Sequence, residues 1–191
     1  MKWLKVAPTI AAAMVFAMPA TPAVAGPIVE SFETDFGGWE PDSDGVAPAW
    51  SVKRSADQAY HGTYSVQIFM DGRFDDGTTW IERQFFTTPN QAVTVTLTFQ
   101  LWSPATARVG AWAVVAIAGK SDPEQELDFD PIGYTEEAAG WKQYTKTWTL
   151  TADSTGGFWV ALGTSVLWEV EKFHYVDYVE VTVTPSDGTG G

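Results

Sequence analysis

The chain has 191 residues, with 24 acidic against 11 basic side chains, a formal net charge of −13, and no cysteine. So large an acidic excess works against binding nucleic acid or anionic membranes. Without cysteine, neither disulfides nor a thiolate centre can hold the fold, and the length suits one domain with a sizeable core.

The first 25 residues read as a secretory signal peptide: Lys2 and Lys5, an apolar run from Val6 to Met18, then Ala23-Val24-Ala25 as a cleavage pattern. The run is short for a bilayer span and no second long apolar run follows, so membrane insertion is not expected. The expectation is a secreted protein of bacterial or archaeal origin, starting near Gly26. Without Lys2 and Lys5, nine basic side chains face 24 acidic ones, or −15.

Beyond the leader, strand patterns dominate, over 28–33, 48–54, 63–71, 78–86, 91–103, 109–119, 141–150, 157–164 and 172–184. Turn formers separate them, as in FGGWEPDSDG, DGRFDDG and DSTGG. About nine antiparallel strands predict an all-β jelly-roll sandwich over 26–184, with 185–191 as a disordered tail. In QAVTVTLTFQLWS, Val93, Val95, Leu97, Phe99 and Leu101 point one way. Thr94, Thr96, Thr98, Gln100 and Trp102 point the other way, so that second face is either wet or lines a groove.

In KFHYVDYVEVTV, alternation sets Phe173, Tyr175, Asp177, Val179, Val181 and Val183 on one side, with an aspartate among apolar residues. His174 falls on the other side, where a solvent-facing role is the ordinary one. Only His61 and His174 are available to a Ser-His-Asp triad, and no G-x-S-x-G elbow occurs. No catalytic residue is assigned. Among the many acids, Glu82 and Glu180 are the strand-borne candidates for a carboxylate pair of the glycosidase kind. The run DPEQELDFD sets Asp122, Glu124, Glu126, Asp128 and Asp130 at alternate positions, which in an extended segment share one face. That face is either solvated, discouraging edge pairing, or holds a cation. Trp39, Trp50, Trp141, Trp148 and Trp159 have ordinary core readings, whereas Trp102 stands among Thr and Gln. An indole on a polar sheet face either stacks on the apolar side of a sugar ring or covers the sandwich rim. The polar residues placed with it are Gln67, Glu82, Gln84 and Gln100, and Trp80 is a second candidate ring.

Three motifs in order, ESFETDFGGW, WSVKRSADQAYHGTYSVQI and FHYVDYVEVTV, resemble the galactose-binding-like jelly roll of carbohydrate-binding modules, especially families 4/9 and 22. MAM adhesion domains begin with a similar FE…W pattern but usually carry cysteines. The resemblance implies a structural calcium between the first and last strands. It puts Glu33 and Asp177 at that ion, with help from the turn between Asp57 and Thr63. Calcium takes roughly six to eight oxygens, carboxylate and carbonyl, and a buried carboxylate needs such a partner. Asp177 could instead accept hydrogen bonds from backbone amides or tyrosine hydroxyls. Tyr178 stands where the family often has a second acid. Three functions follow as expectations: a secreted non-catalytic module binding a polysaccharide, an extracellular structural or adhesive domain with a protein or matrix partner, and a small glycoside hydrolase.

Overall fold

A computed structural model describes residues 26–104 and 111–186. The signal segment and residues 187–191 of the tail lie outside the described residues. Among the described residues, eleven strands form two antiparallel sheets. They are β1 (Ile28–Glu30), β2 (Glu40–Ser43), β3 (Trp50–Ser55), β4 (Ser65–Asp71), β5 (Thr78–Phe86), β6 (Ala92–Ser103), β7 (Trp112–Gly119), β8 (Asp130–Tyr134), β9 (Gly140–Thr151), β10 (Gly157–Val166) and β11 (Glu171–Pro185). The larger sheet runs β3-β4-β11-β6-β9, with β1 beside the far half of β11; the smaller runs β2-β5-β10-β7-β8. This is the all-β jelly-roll sandwich expected from the alternation.

The core lies between the sheets. Val93, Val95, Leu97, Phe99 and Leu101 of β6 enter it, as the pattern predicts, with Val66 and Ile68 of β4 and Phe158, Val160 and Leu162 of β10. The two strands not anticipated, β2 and β8, are the edges of the smaller sheet. Each contains a proline, Pro41 or Pro131. An edge strand pairs on one side only and tolerates proline, so its composition resembles a turn.

Strand β11 departs from the alternation. Its register with β6 shifts between Asp177 and Glu180, and Tyr178 has a φ of +50°. This bulge switches which residues face inward. His174 and Val176 therefore lie buried on the inner side together with Val179 and Val181. Phe173, Tyr175 and Asp177 share the outer face with Glu180 and Thr182. Asp177 is not in the apolar row, and His174 is not solvent-facing.

The strand also runs one residue beyond the sequence reading at each end. Pro185 pairs with Val93, and the Ser186 N–H donates to the Ala92 carbonyl at 2.9 Å. The acidic run is not one extended strand: a 3-10 turn at Glu126–Asp128 breaks it, and Asp128 Oδ2 accepts the amides of Glu124 and Gln125. The five acids therefore do not share a face. A second 3-10 turn spans Thr135–Glu137.

Candidate functional site

Antiparallel register places Lys53, Gln67, Tyr175, Trp102 and Trp141 in one row across β3, β4, β11, β6 and β9. All five point away from the core, because their strand neighbours Val52, Ile68, Val176 and Leu101 point into it. Neighbouring strands lie about 4.8 Å apart, so the row extends on the order of 19 Å. Trp102 meets Tyr175 edge to face, with ring centroids 5.4 Å apart. Above them the Phe69 and Phe173 rings meet at a tilt of 32°, with centroids 4.7 Å apart. Trp102, Pro104, Phe173 and Tyr175, with Glu171 and Lys172 at the rim, line a groove of about 360 Å³.

The next row down is polar: Asp177, Gln100 and Gln143. Beyond it the face is tiled with threonine, as Thr182-Thr96-Thr147 and Thr184-Thr94-Thr149. Gln67 is buried and already bonded, donating to the Tyr175 hydroxyl at 2.9 Å and to Asp57 Oδ2 at 3.2 Å. Gln100 is buried and donates to Gln143 at 3.3 Å. Both orient neighbours in the present arrangement, leaving Gln143, Lys53 and Asp57 more exposed.

The other residues placed with Trp102 in the sequence reading lie elsewhere. Trp80, Glu82 and Gln84 sit on β5, in the smaller sheet, and face outward on the opposite side of the sandwich. Trp80 is fully buried under Phe129, with centroids 4.9 Å apart, and its Nε1 donates to Glu82 Oε2 at 2.6 Å. Burial pushes Glu82 up to about 7, and the neighbouring carboxylates of Asp122 and Asp42 add to the rise. The alternation on β5 was read correctly, but strand order assigns β5 to the other sheet. Glu180 lies on the outer face of the larger sheet, so Glu82 and Glu180 do not form a carboxylate pair.

The residues placed at a calcium all meet one loop, residues 56–64. Glu33 accepts the amides of Thr63 and Tyr64 at 2.8–3.0 Å, and these amides hold its carboxyl below the usual range. Gly62, at φ +74°, leaves room for that carboxyl: a Cβ there would lie 2.4 Å from it. Asp177 Oδ2 accepts the amides of Tyr60 and His61 at 2.7 and 2.8 Å, and Oδ1 accepts that of Tyr178 at 2.6 Å. Burial pushes Asp177 upward and the three amides oppose that. Arg54 donates to the carbonyls of Phe32 and Glu33 at 2.7 and 2.6 Å.

The donors at both carboxylates are thus N–H groups. Thr63 contributes an amide, not a carbonyl, and Asp57 turns to Gln67. Among the described residues, no three His, Cys, Asp or Glu side chains converge as metal ligands would. This set does not fit calcium, which needs converging oxygens. It fits a carboxylate clamp saturated by backbone amides, the alternative left open for Asp177.

The sequence reading missed Tyr175 as a groove residue and Trp141 as a member of the aromatic row. Tyr175 was assigned to the inner side by unbroken alternation, and Trp141 to the core. Its pairing with Trp102 across β6 and β9 was the missing signal.

No family model matches this chain, and no curated protein matches it. Solved structures do. A family 22 xylan-binding module from Paenibacillus barcinonensis superposes with a TM-score of 0.55 at 15% identity, over 86% of this chain and 99% of that one. The C-terminal family 22 module of a Clostridium thermocellum xylanase gives 0.51 at 15%, over 90% and 100%. A cleaved adhesin domain of Lys-gingipain from Porphyromonas gingivalis gives 0.52 at 19%, over 83% and 98%. At these identities the likeness is one of fold, and the fold of this chain is the β-sandwich of the family 22 carbohydrate-binding modules.

Proposed function

We propose that the protein is a secreted, non-catalytic module that binds a polysaccharide chain laid across the strands of the larger sheet. The observation that carries this reading is the row Tyr175-Trp102-Trp141, three rings on adjacent strands in one outward face. Aromatic rings flanked by amides and carboxylates suit pyranoses, whose ring faces are apolar and whose edges are hydroxylated. The three rings span two strand intervals, on the order of 10 Å, and the full row from Lys53 to Trp141 spans four, on the order of 19 Å, longer than one sugar. A net charge of −13 favours a neutral polymer over a polyanion. The neighbouring modules described as xylan-binding make soluble xylan the first probe.

The test is affinity electrophoresis through gels containing xylan, mixed-linkage glucan, mannan or pectin. Retardation by a neutral polymer, abolished in Trp102→Ala, supports the reading. Equal mobility in every gel would defeat it. The fold is shared with an adhesin domain, so a second reading is an adhesive domain with a protein or matrix partner. That reading expects no retardation, with self-association or protein capture through the same face.

A further inference from the structure

The loop between β3 and β4, residues 56–64, does more than connect two strands. Its midpoint lies over the outer face of the larger sheet, because the amides of Tyr60 and His61 close on Asp177, which shares that face with Tyr175. From there the Tyr60 ring reaches Trp141 on β9, edge to face, with centroids 5.8 Å apart. It also lies 6.2 Å from Tyr178, which in turn lies 5.5 Å from His61. At the near end, Asp57 accepts Gln67, a member of the aromatic row. The loop therefore crosses between the aromatic row and the threonine rows, touching the row at Gln67 through Asp57 and at its Trp141 end through Tyr60.

Two acids distant in sequence hold it there. Asp177 takes the amides of residues 60 and 61, and Glu33 takes those of residues 63 and 64. The Ser65 hydroxyl donates to the Gln58 carbonyl at 2.6 Å, and the Arg54 guanidinium covers the Tyr64 ring at 4.3 Å. Despite this anchoring the Tyr60 ring is 51% exposed. A half-exposed ring on a fixed backbone, set edge-on to an indole of the aromatic row, suits ligand contact better than core packing.

We infer that residues 56–64 form a wall along the aromatic row on its Asp177 side, that Tyr60 contacts the bound glycan beside Trp141, and that Asp177 is the positioning residue that sets the wall. This inference rests on the glycan-binding reading of the same face. Tyr60 supplies a stacking ring beside Trp141, and Asp177, beneath the loop, touches no ligand.

The experiment compares the full chain with Tyr60→Ala, Tyr60→Phe, Asp177→Asn and Trp102→Ala in xylan gels. Tyr60→Ala is expected to bind about tenfold more weakly, the loss of one ring contact. Tyr60→Phe keeps the ring and is expected to bind like the parent. Asp177→Asn keeps an acceptor for residues 60 and 61 but opposes an amide to the Tyr178 N–H, so it is expected to weaken binding less than Tyr60→Ala does. Parent retardation that is lost in Trp102→Ala but unchanged in Tyr60→Ala would overturn the wall and leave the glycan site standing. No retardation of the parent in any gel would overturn both. Amide hydrogen exchange of the unliganded protein tests the positioning role separately. The Tyr60 and His61 amides are expected to be protected in the parent and to exchange much faster in Asp177→Ala, which removes their acceptor; equal protection would overturn it.

Discussion

The Tyr60 N–H donates to Oδ2 of Asp177 at 2.7 Å, across 117 positions of sequence. With the amides of His61 and Tyr178 it gives this fully buried carboxylate three backbone donors. Removing the carboxylate orphans all three. An unsatisfied buried donor costs about 1–3 kcal/mol, and water reaching the loop would recover part of that. Asp177→Ala is therefore expected to lower the stability of the fold by about 3 kcal/mol, measured by urea denaturation, with Asp177→Asn costing less.

The same geometry bears on calcium. Because amides and not oxygens face Glu33 and Asp177, the melting temperature is expected to be the same in millimolar calcium and in EDTA. A calcium-dependent rise of several degrees, lost in Glu33→Gln, would mean that the loop rearranges around an ion.

His174 gives the stability a pH dependence. Its ring is fully buried against Trp112, and neither nitrogen has a hydrogen-bond partner among the described residues. Burial, with Lys172 nearby, lowers its pKa from 6.5 to about 3. Between these values the unfolded chain binds a proton that the folded chain refuses, so stability falls as the pH drops from 6.5 towards 3. His174→Leu is expected to flatten that limb in a calorimetric pH series.

Glu82 acts in the opposite sense. Its pKa is raised from 4.5 to about 7, so over that window the folded state keeps a proton that the unfolded state releases. Stability then falls as the pH rises from 4.5 to 7. Glu82→Gln retains an acceptor for Trp80 Nε1 and removes the charge. It is expected to raise the melting temperature at pH 8 by a few degrees and to leave it nearly unchanged at pH 4.

The sheet-forming segments were legible because ladder strands with one buried face alternate, as Val93 to Leu101 do. The smaller sheet's edges were not, because β2 and β8 carry proline and few apolar residues. The site was half legible. Trp102 stood out as an indole among Thr and Gln, and it does open onto the groove. Glu82 and Trp80 looked equivalent to it locally, yet strand order sends β5 to the opposite face, and no local pattern encodes strand order. Asp177 posed a different problem. One left-handed residue, Tyr178, inverts the alternation on which its placement among apolar side chains depended, and strict period-two reading passes over such a bulge.

The most direct test of a glycan site on this face is a two-dimensional NMR titration of the 15N-labelled protein with xylo-oligosaccharides, following the indole N–H signals. The expected result is saturable shifts for Trp102 and Trp141, with Trp80 and Trp112, both buried, unmoved. Shifts confined to Trp80 and its neighbours on the smaller sheet, or none for any oligosaccharide of the neutral panel, would contradict it.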